Sequence, residues 1–263
     1  MNVDVGPVVP KYLAEEFSTK NTKYCLCIPI INEDGKIQQE LKRAKRNGIN
    51  LVIDIIICDG GSTDGSTDVT MLQELGVNTL LVKRDTGKQG AQLRMGFWWA
   101  LKRGYKGVIT IDGNNKDSIE SVPLFIDKLD HGYDFVQGSR FIKGGKALNT
   151  PLVRYFAVRY IHAPIISLIS KAKYTDTTNA FRGHSRRYLE HPGVQPFRDV
   201  FKSYELLAHI SVKASQLGLR VCEVPVTRAY PKYEKTPTKI SPIRGNIELF
   251  TILINLIRGK YDV

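Results

Sequence analysis

Cysteine is scarce in this chain, with four in 263 residues. Cys25, Cys27, Cys58 and Cys222 form no CxxC pair and no cluster with histidine at zinc spacing, which excludes a redox pair or a zinc module. Each sits in an apolar run and reads as a reduced core residue of a cytoplasmic protein. No apolar run approaches the ~20 residues that cross a bilayer. Residues 1–20 carry Asp4, Pro7, Pro10, Glu15 and Glu16, and no apolar stretch there marks a secretory signal. Acidic charge is in deficit: 26 Asp and Glu stand against 38 Lys and Arg, a formal net charge of +12. That excess asks for an anionic partner, such as a nucleotide diphosphate or acidic lipid headgroups. Neither a basic stripe interleaved with aromatics nor zinc-finger spacing supports a nucleic acid in that role.

What the chain does have is an alternation of short apolar runs and amphipathic stretches. Residues 24–31 read as a first strand, and 51–58 is a nearly continuous β-branched run, the pattern of a strand covered on both faces. Further strands are expected at 79–82, 108–111, 133–136 and 219–226, with helices at 37–46, 66–75, 88–103, 123–129, 151–170 and 204–217. Pro164 is expected to bend the helix that contains it. This order predicts an α/β fold: a mainly parallel sheet with helices on both faces. Residues 1–22 read as a loose segment, 23–241 as the domain body and 242–263 as a C-terminal apolar helix.

Polar residues gather where strands stop. Pro29 and Glu33 end the first, Asp59-Gly-Gly-Ser-Thr-Asp64 the second, and Asp112-Gly-Asn114 the fourth. Ligands of open α/β sheets bind beyond the carboxyl ends of the strands. Asp112 and Asn114, two apart, leave the same face of extended backbone. Their oxygens suit a hard divalent cation, which suits a diphosphate. Such residues also make ordinary turns; recurrence at three strand ends is what favours a site. The dinucleotide fingerprint GxGxxG is missing after the first strand, so a nicotinamide cofactor is excluded. Asp54 reads as a buried structural carboxylate, His162, His184 and His209 as structural, and Trp98 and Trp99 as packing helix against sheet.

The order of motifs resembles the family-2 glycosyltransferases of GT-A fold, most of all the dolichyl- and polyprenyl-phosphate sugar synthases. It runs Pro29 to Glu33, Asp59 to Ser66, Gly87-Lys88, Asp112-Gly-Asn114, Gly138-Ser-Arg140-Phe-Ile-Lys-Gly-Gly145, Arg154, Asp176 to Arg182, Glu223 to Val226, and Lys239 to Ser241. The resemblance implies that Pro29, Glu33, Asp59, Lys88 and Asp112 bind the nucleotide. It implies that Asp112 and Asn114 hold Mg2+ or Mn2+, and that Arg140 and Arg154 bind phosphate groups. Arg182, Arg228 and Lys239 then belong to the acceptor and phosphate side.

Two departures bear on the metal. Asn114 stands where the family usually has aspartate, and Lys116 where lipid-phosphate synthases often have glutamine. One negative charge is lost, and Lys116 is placed to neutralise phosphate directly. The implied reaction is an inverting displacement at the anomeric carbon of a nucleotide-diphosphate sugar. A lipid-phosphate acceptor is already ionised and needs no base, whereas a sugar hydroxyl in a cell-surface glycan does. Asp176 is the candidate base, with Glu205 second. The non-enzymatic alternative is a nucleotide-binding subunit without turnover. Residues 247–257, flanked by Arg244, Arg258 and Lys260, suit an interfacial helix on the inner membrane face. Packing on the domain core or in a homodimer is the alternative.

Overall fold

The computed structural model describes residues 7–231 and 244–262. Its strands are β1 (Tyr12–Glu16), β2 (Cys25–Ile30), β3 (Asp54–Asp59), β4 (Val77–Lys83), β5 (Gly107–Thr110), β6 (Phe135–Ser139), β7 (Lys146–Leu148), β8 (Arg182–Ser185), β9 (Val221–Pro225) and β10 (Thr227–Ala229). One sheet has the order β1-β4-β3-β2-β5-β8-β6-β9, and β7 pairs in parallel with β10. Strands β4, β3, β2 and β5 run parallel. Strand β8 lies antiparallel between β5 and β6, so those two share a direction. The carboxyl ends of β2, β3, β5 and β6 therefore open on one edge.

Alternation along the strands fills two core layers. Cys25, Cys27 and Cys58 face one side, packed under helices Gln89–Lys102, Glu205–Gln216 and Arg244–Ile257. Leu26, Ile28, Ile55 and Ile57 face the other, under Lys36–Arg46 and Val122–Asp130. The first layer is tight: a Cβ on Gly96 would lie 2.7 Å from the Cys58 sulfur. Three of the four free cysteines belong to this packing, and Cys222 packs against the other layer. Trp99 meets Tyr12 edge to face, and Trp98 meets Phe197.

Several expectations change. The segment expected to be loose carries β1, an edge strand antiparallel to β4. It is anchored where Asn21 and Thr22 donate their N–H groups to Asp54 at 2.9 and 3.1 Å, and Tyr105 donates to the same carboxylate at 2.8 Å. Leu51 and Val52 belong to a helical turn, Ile49–Val52, and are exposed, so β3 begins only at Asp54. Strand β8 arises from Arg-Gly-His-Ser, which no apolar run announces. The helix Leu152–Ser170 is continuous but widens into a π turn at Val158–His162, just before Pro164, which relieves the crowding of the proline ring. By length and composition it is apolar enough to cross a membrane, contrary to the sequence reading.

The C-terminal helix also departs from its interfacial reading. Ile252, Leu253 and Leu256 are buried in the first core layer, and Tyr261 follows them in. The alternative, packing on the domain core, is what the fold uses.

Candidate active site

The loops after β2 and β3 hold each other. Asn32 N–H donates to Ser62 Oγ at 2.9 Å. Thr63 N–H donates to Asn32 Oδ1, Glu33 N–H to Ser66 Oγ, and Asp34 N–H to Asp64. Asp59 is buried, and its carboxylate accepts from the N–H groups of Gly61 and Ser62 and from the Ser62 hydroxyl. Gly61 sits at φ +100°, a backbone open to glycine. Glu33 receives Lys36 Nζ at 2.7 Å. Gln92 Nε2 bridges the ends of β2 and β3, donating to the carbonyls of Ile30 and Cys58.

Beyond β5 the charge concentrates. Asp112 Oδ1 accepts from Gln89 Nε2 at 3.0 Å and Oδ2 from Arg228 Nη2 at 3.2 Å. Arg228 also donates to the fully buried Asp117. Burial lifts the Asp117 carboxyl to about 6 against the pull of Arg228. Lys116 is buried beside them, its ammonium 5.4 Å from the Tyr230 ring centre, and burial together with Arg228 pushes its pKa down. Arg154 Nη1 donates to the Tyr230 hydroxyl at 3.0 Å. Burial raises the Tyr230 phenol, but Arg228 and Arg154 outweigh it, and its pKa ends below the usual value.

Gly113, between the two oxygen donors, is fixed by the protein's own packing: a Cβ there would lie 2.4 Å from Ile30 Cγ2. It lets the chain press on β2.

The fit to a divalent ion rests on Asn114. Its Oδ1 is buried without a hydrogen-bond partner, an acceptor suited to a cation. Asp112 keeps a free lone pair on each oxygen. No group of three His, Cys, Asp or Glu side chains placed to hold a metal occurs among the described residues. Two protein oxygens completed by water and diphosphate are a fitting Mg2+ or Mn2+ set.

The remaining expected residues divide. Pro29 lies within β2, next to this edge. Lys88 precedes the helix Gln89–Lys102; its side chain is exposed, 3.7 Å from Glu248 of the C-terminal helix. Arg140 and Asp176 are sealed together: Nε donates to Oδ2 at 2.6 Å and Nη2 to Oδ1 at 2.9 Å, with both side chains almost fully buried. Burial would lower the Arg140 pKa, but Asp176 overrides it and raises it. Glu223 holds the Asp176 loop by accepting from the N–H groups of Thr175 and Asp176. Each Asp176 oxygen thus accepts from the Arg140 side chain. Glu205 accepts from Ser203 N–H. Arg182 points into the core, donating to the carbonyls of Asn179, Leu207 and Thr177, and burial lowers its pKa to about 10. It is structural rather than acceptor-facing. Lys239 lies outside the described residues. Gln89, Asp117 and Tyr230 escaped the sequence reading; only the closeness of Asp117 to Asp112 hinted at any of them.

This edge gathers acid, amide and basic groups at the strand ends of an open, mainly parallel sheet. The model of Glycosyl transferase family 2 matches residues 25–192, more than half the chain, and the chain belongs to that family. It is a glycosyltransferase of GT-A fold. Over 215 residues it is 27% identical to the polyprenol monophosphomannose synthase of Mycolicibacterium smegmatis, covering 80% of this chain and 78% of that protein. Over 177 residues it is 26% identical to the undecaprenyl-phosphate mannosyltransferase of Micrococcus luteus, covering 66% and 71%. The fold is shared with the glucosyl-3-phosphoglycerate synthase of Mycobacterium tuberculosis, solved with Mn2+, UDP and phosphoglyceric acid: TM-score 0.59 and 16% identity, covering 89% of this chain and 76% of that one.

Proposed function

We propose that this enzyme transfers a sugar from a nucleoside diphosphate to a polyprenyl phosphate at the cytoplasmic face of a membrane. The observation that carries the reading is the Arg154–Tyr230 contact. It ties the helix Leu152–Ser170 to the charged cluster around Asp112. That helix exposes Leu152, Val153, Phe156, Tyr160, Ile161 and Leu168, with Val153 84% and Leu168 81% exposed. Basic Arg159, Lys171 and Lys173 are exposed on it or just beyond it. An apolar face with basic flanks suits the interface of an anionic bilayer. It would bring a lipid phosphate to the cluster from the membrane side. The relatives support such an acceptor and make a mannosyl donor the first to try.

In this reading an acceptor phosphate oxygen forms the new bond to the anomeric carbon. The bond from that carbon to the diphosphate breaks with inversion, and its electron pair leaves on the diphosphate oxygen. No proton moves, which agrees with the sealing of Asp176 by Arg140. Asp112 and Asn114 would hold a divalent ion that stabilises the leaving diphosphate. Arg154 would orient the acceptor phosphate.

The test uses labelled nucleotide sugars with a short polyprenyl phosphate. Label entering the organic phase only when the lipid phosphate is present is the expected result. Asp112→Ala should slow transfer by about two to three orders of magnitude, the usual loss of an electrostatic stabiliser. Transfer to sugar hydroxyls alone would reject the lipid acceptor.

A further inference from the structure

The loop that carries the metal donors also carries a cation. Across residues 112–116, Asp112 contributes the negative charge, Asn114 is neutral and Lys116 is positive, so the loop carries no net charge. Two carboxylates would attract a divalent ion strongly, whereas a neutral loop attracts it less and repels a diphosphate less. Lys116 is held at this edge by its backbone: its carbonyl accepts from Ala229 N–H at 2.8 Å, and Asp117 forms a bridge with Arg228. Its ammonium lies 5.4 Å from the centre of the Tyr230 ring, which Arg228 and Arg154 each approach to 5.7 Å, so three cations gather round one ring beside Asp112. Arg228 already donates to Asp112, so one carboxylate oxygen faces a fixed cation before any ion arrives.

We infer that Lys116, with Arg228, is a diphosphate-binding residue that carries much of the charge neutralisation otherwise left to the metal, so this enzyme holds its nucleotide without a divalent ion. The inference rests on the nucleotide-sugar reading above and names which residues neutralise the donor. A lysine acts as a compact point charge on phosphate, and it needs no dehydration of a metal ion.

Isothermal titration of GDP, and of UDP in parallel, into the full chain with Mn2+ and then with EDTA tests it. For whichever nucleotide binds, wild-type affinity should differ by less than about tenfold between the two buffers. Lys116→Gln should lose about tenfold or more in EDTA and recover in Mn2+, and Asn114→Asp should tighten binding in Mn2+ alone. The wild-type comparison needs no variant, and thermal melts of both variants separate lost binding from lost fold. Wild-type binding that disappears in EDTA overturns the inference and leaves the function standing. So does a folded Lys116→Gln variant that matches wild type in EDTA. If neither nucleotide binds in either buffer, the function falls and the inference with it.

Discussion

Two apolar helices of similar character meet opposite fates here. Arg244–Ile257 turns Ile252, Leu253 and Leu256 into the core beside Glu205–Gln216. Leu152–Ser170 buries only Val158, Ala163, Ile166 and Ser170 and leaves most of its large apolar side chains outside. Apolar composition sets the wish to leave water, but neighbours decide where the side chains go. The first helix finds a groove already lined by Phe201 and Ile210. The second packs its inner side against Glu205–Gln216 and puts Ile166 into the first core layer. Its outer face is uncovered among the described residues.

Replacing the inward residues should strike hardest. Leu253→Ala with Leu256→Ala should cost about 2–5 kcal/mol for each site, read as a lower urea midpoint. A change under about 1 kcal/mol would mean that this helix is not docked in solution.

Acid should act next, through histidines on both sides of the contrast. His162 lies in the exposed helix, where its Nδ1 pairs with the Thr177 hydroxyl, and His209 lies beneath the docked helix, its ring tilted against Phe201. His184 is buried on strand β8. Burial pushes their pKa values down to about 4, 4 and 3 respectively. The unfolded value is about 6.5, so below that pH the unfolded chain binds protons the folded chain refuses. Stability is therefore complete above about pH 6.5 and declines as pH falls toward 4, by up to ~1.4 kcal/mol per pH unit for each histidine. Urea titrations at pH 7 and pH 4.5 measure the loss, and equal midpoints would show that these rings are not buried.

The smallest effect on stability is expected on the outer face. Val153→Ser with Leu168→Ser should change stability by no more than about 0.5 kcal/mol per site. The same pair should strongly weaken flotation with anionic vesicles. Unchanged flotation would move the membrane contact elsewhere on the chain.

The sheet was legible because its strands are buried on both faces and read as continuous β-branched runs. What stayed hidden was structure made by partners rather than patterns. Strand β1 is Tyr-Leu-Ala-Glu-Glu, mostly exposed, and becomes a strand only by pairing with β4. Strand β8 is polar and is set by its two neighbours. In the site, Asp112 and Arg228 meet beyond β5. Whether Arg140, Asp176 and Arg182 face outward depends on which charges close on each other, and spacing in sequence carries no record of that.

Strand β1 has a practical consequence for anyone shortening the chain. It screens the hydrogen-bonding edge of β4, whose Leu80 and Leu81 are buried, and shows Glu15 and Glu16 to solvent instead. A version starting after Thr22 would bare that ribbon of amides and carbonyls and forfeit two donors to Asp54. Such naked margins recruit further chains, so trimmed preparations should clump where whole ones stay dispersed.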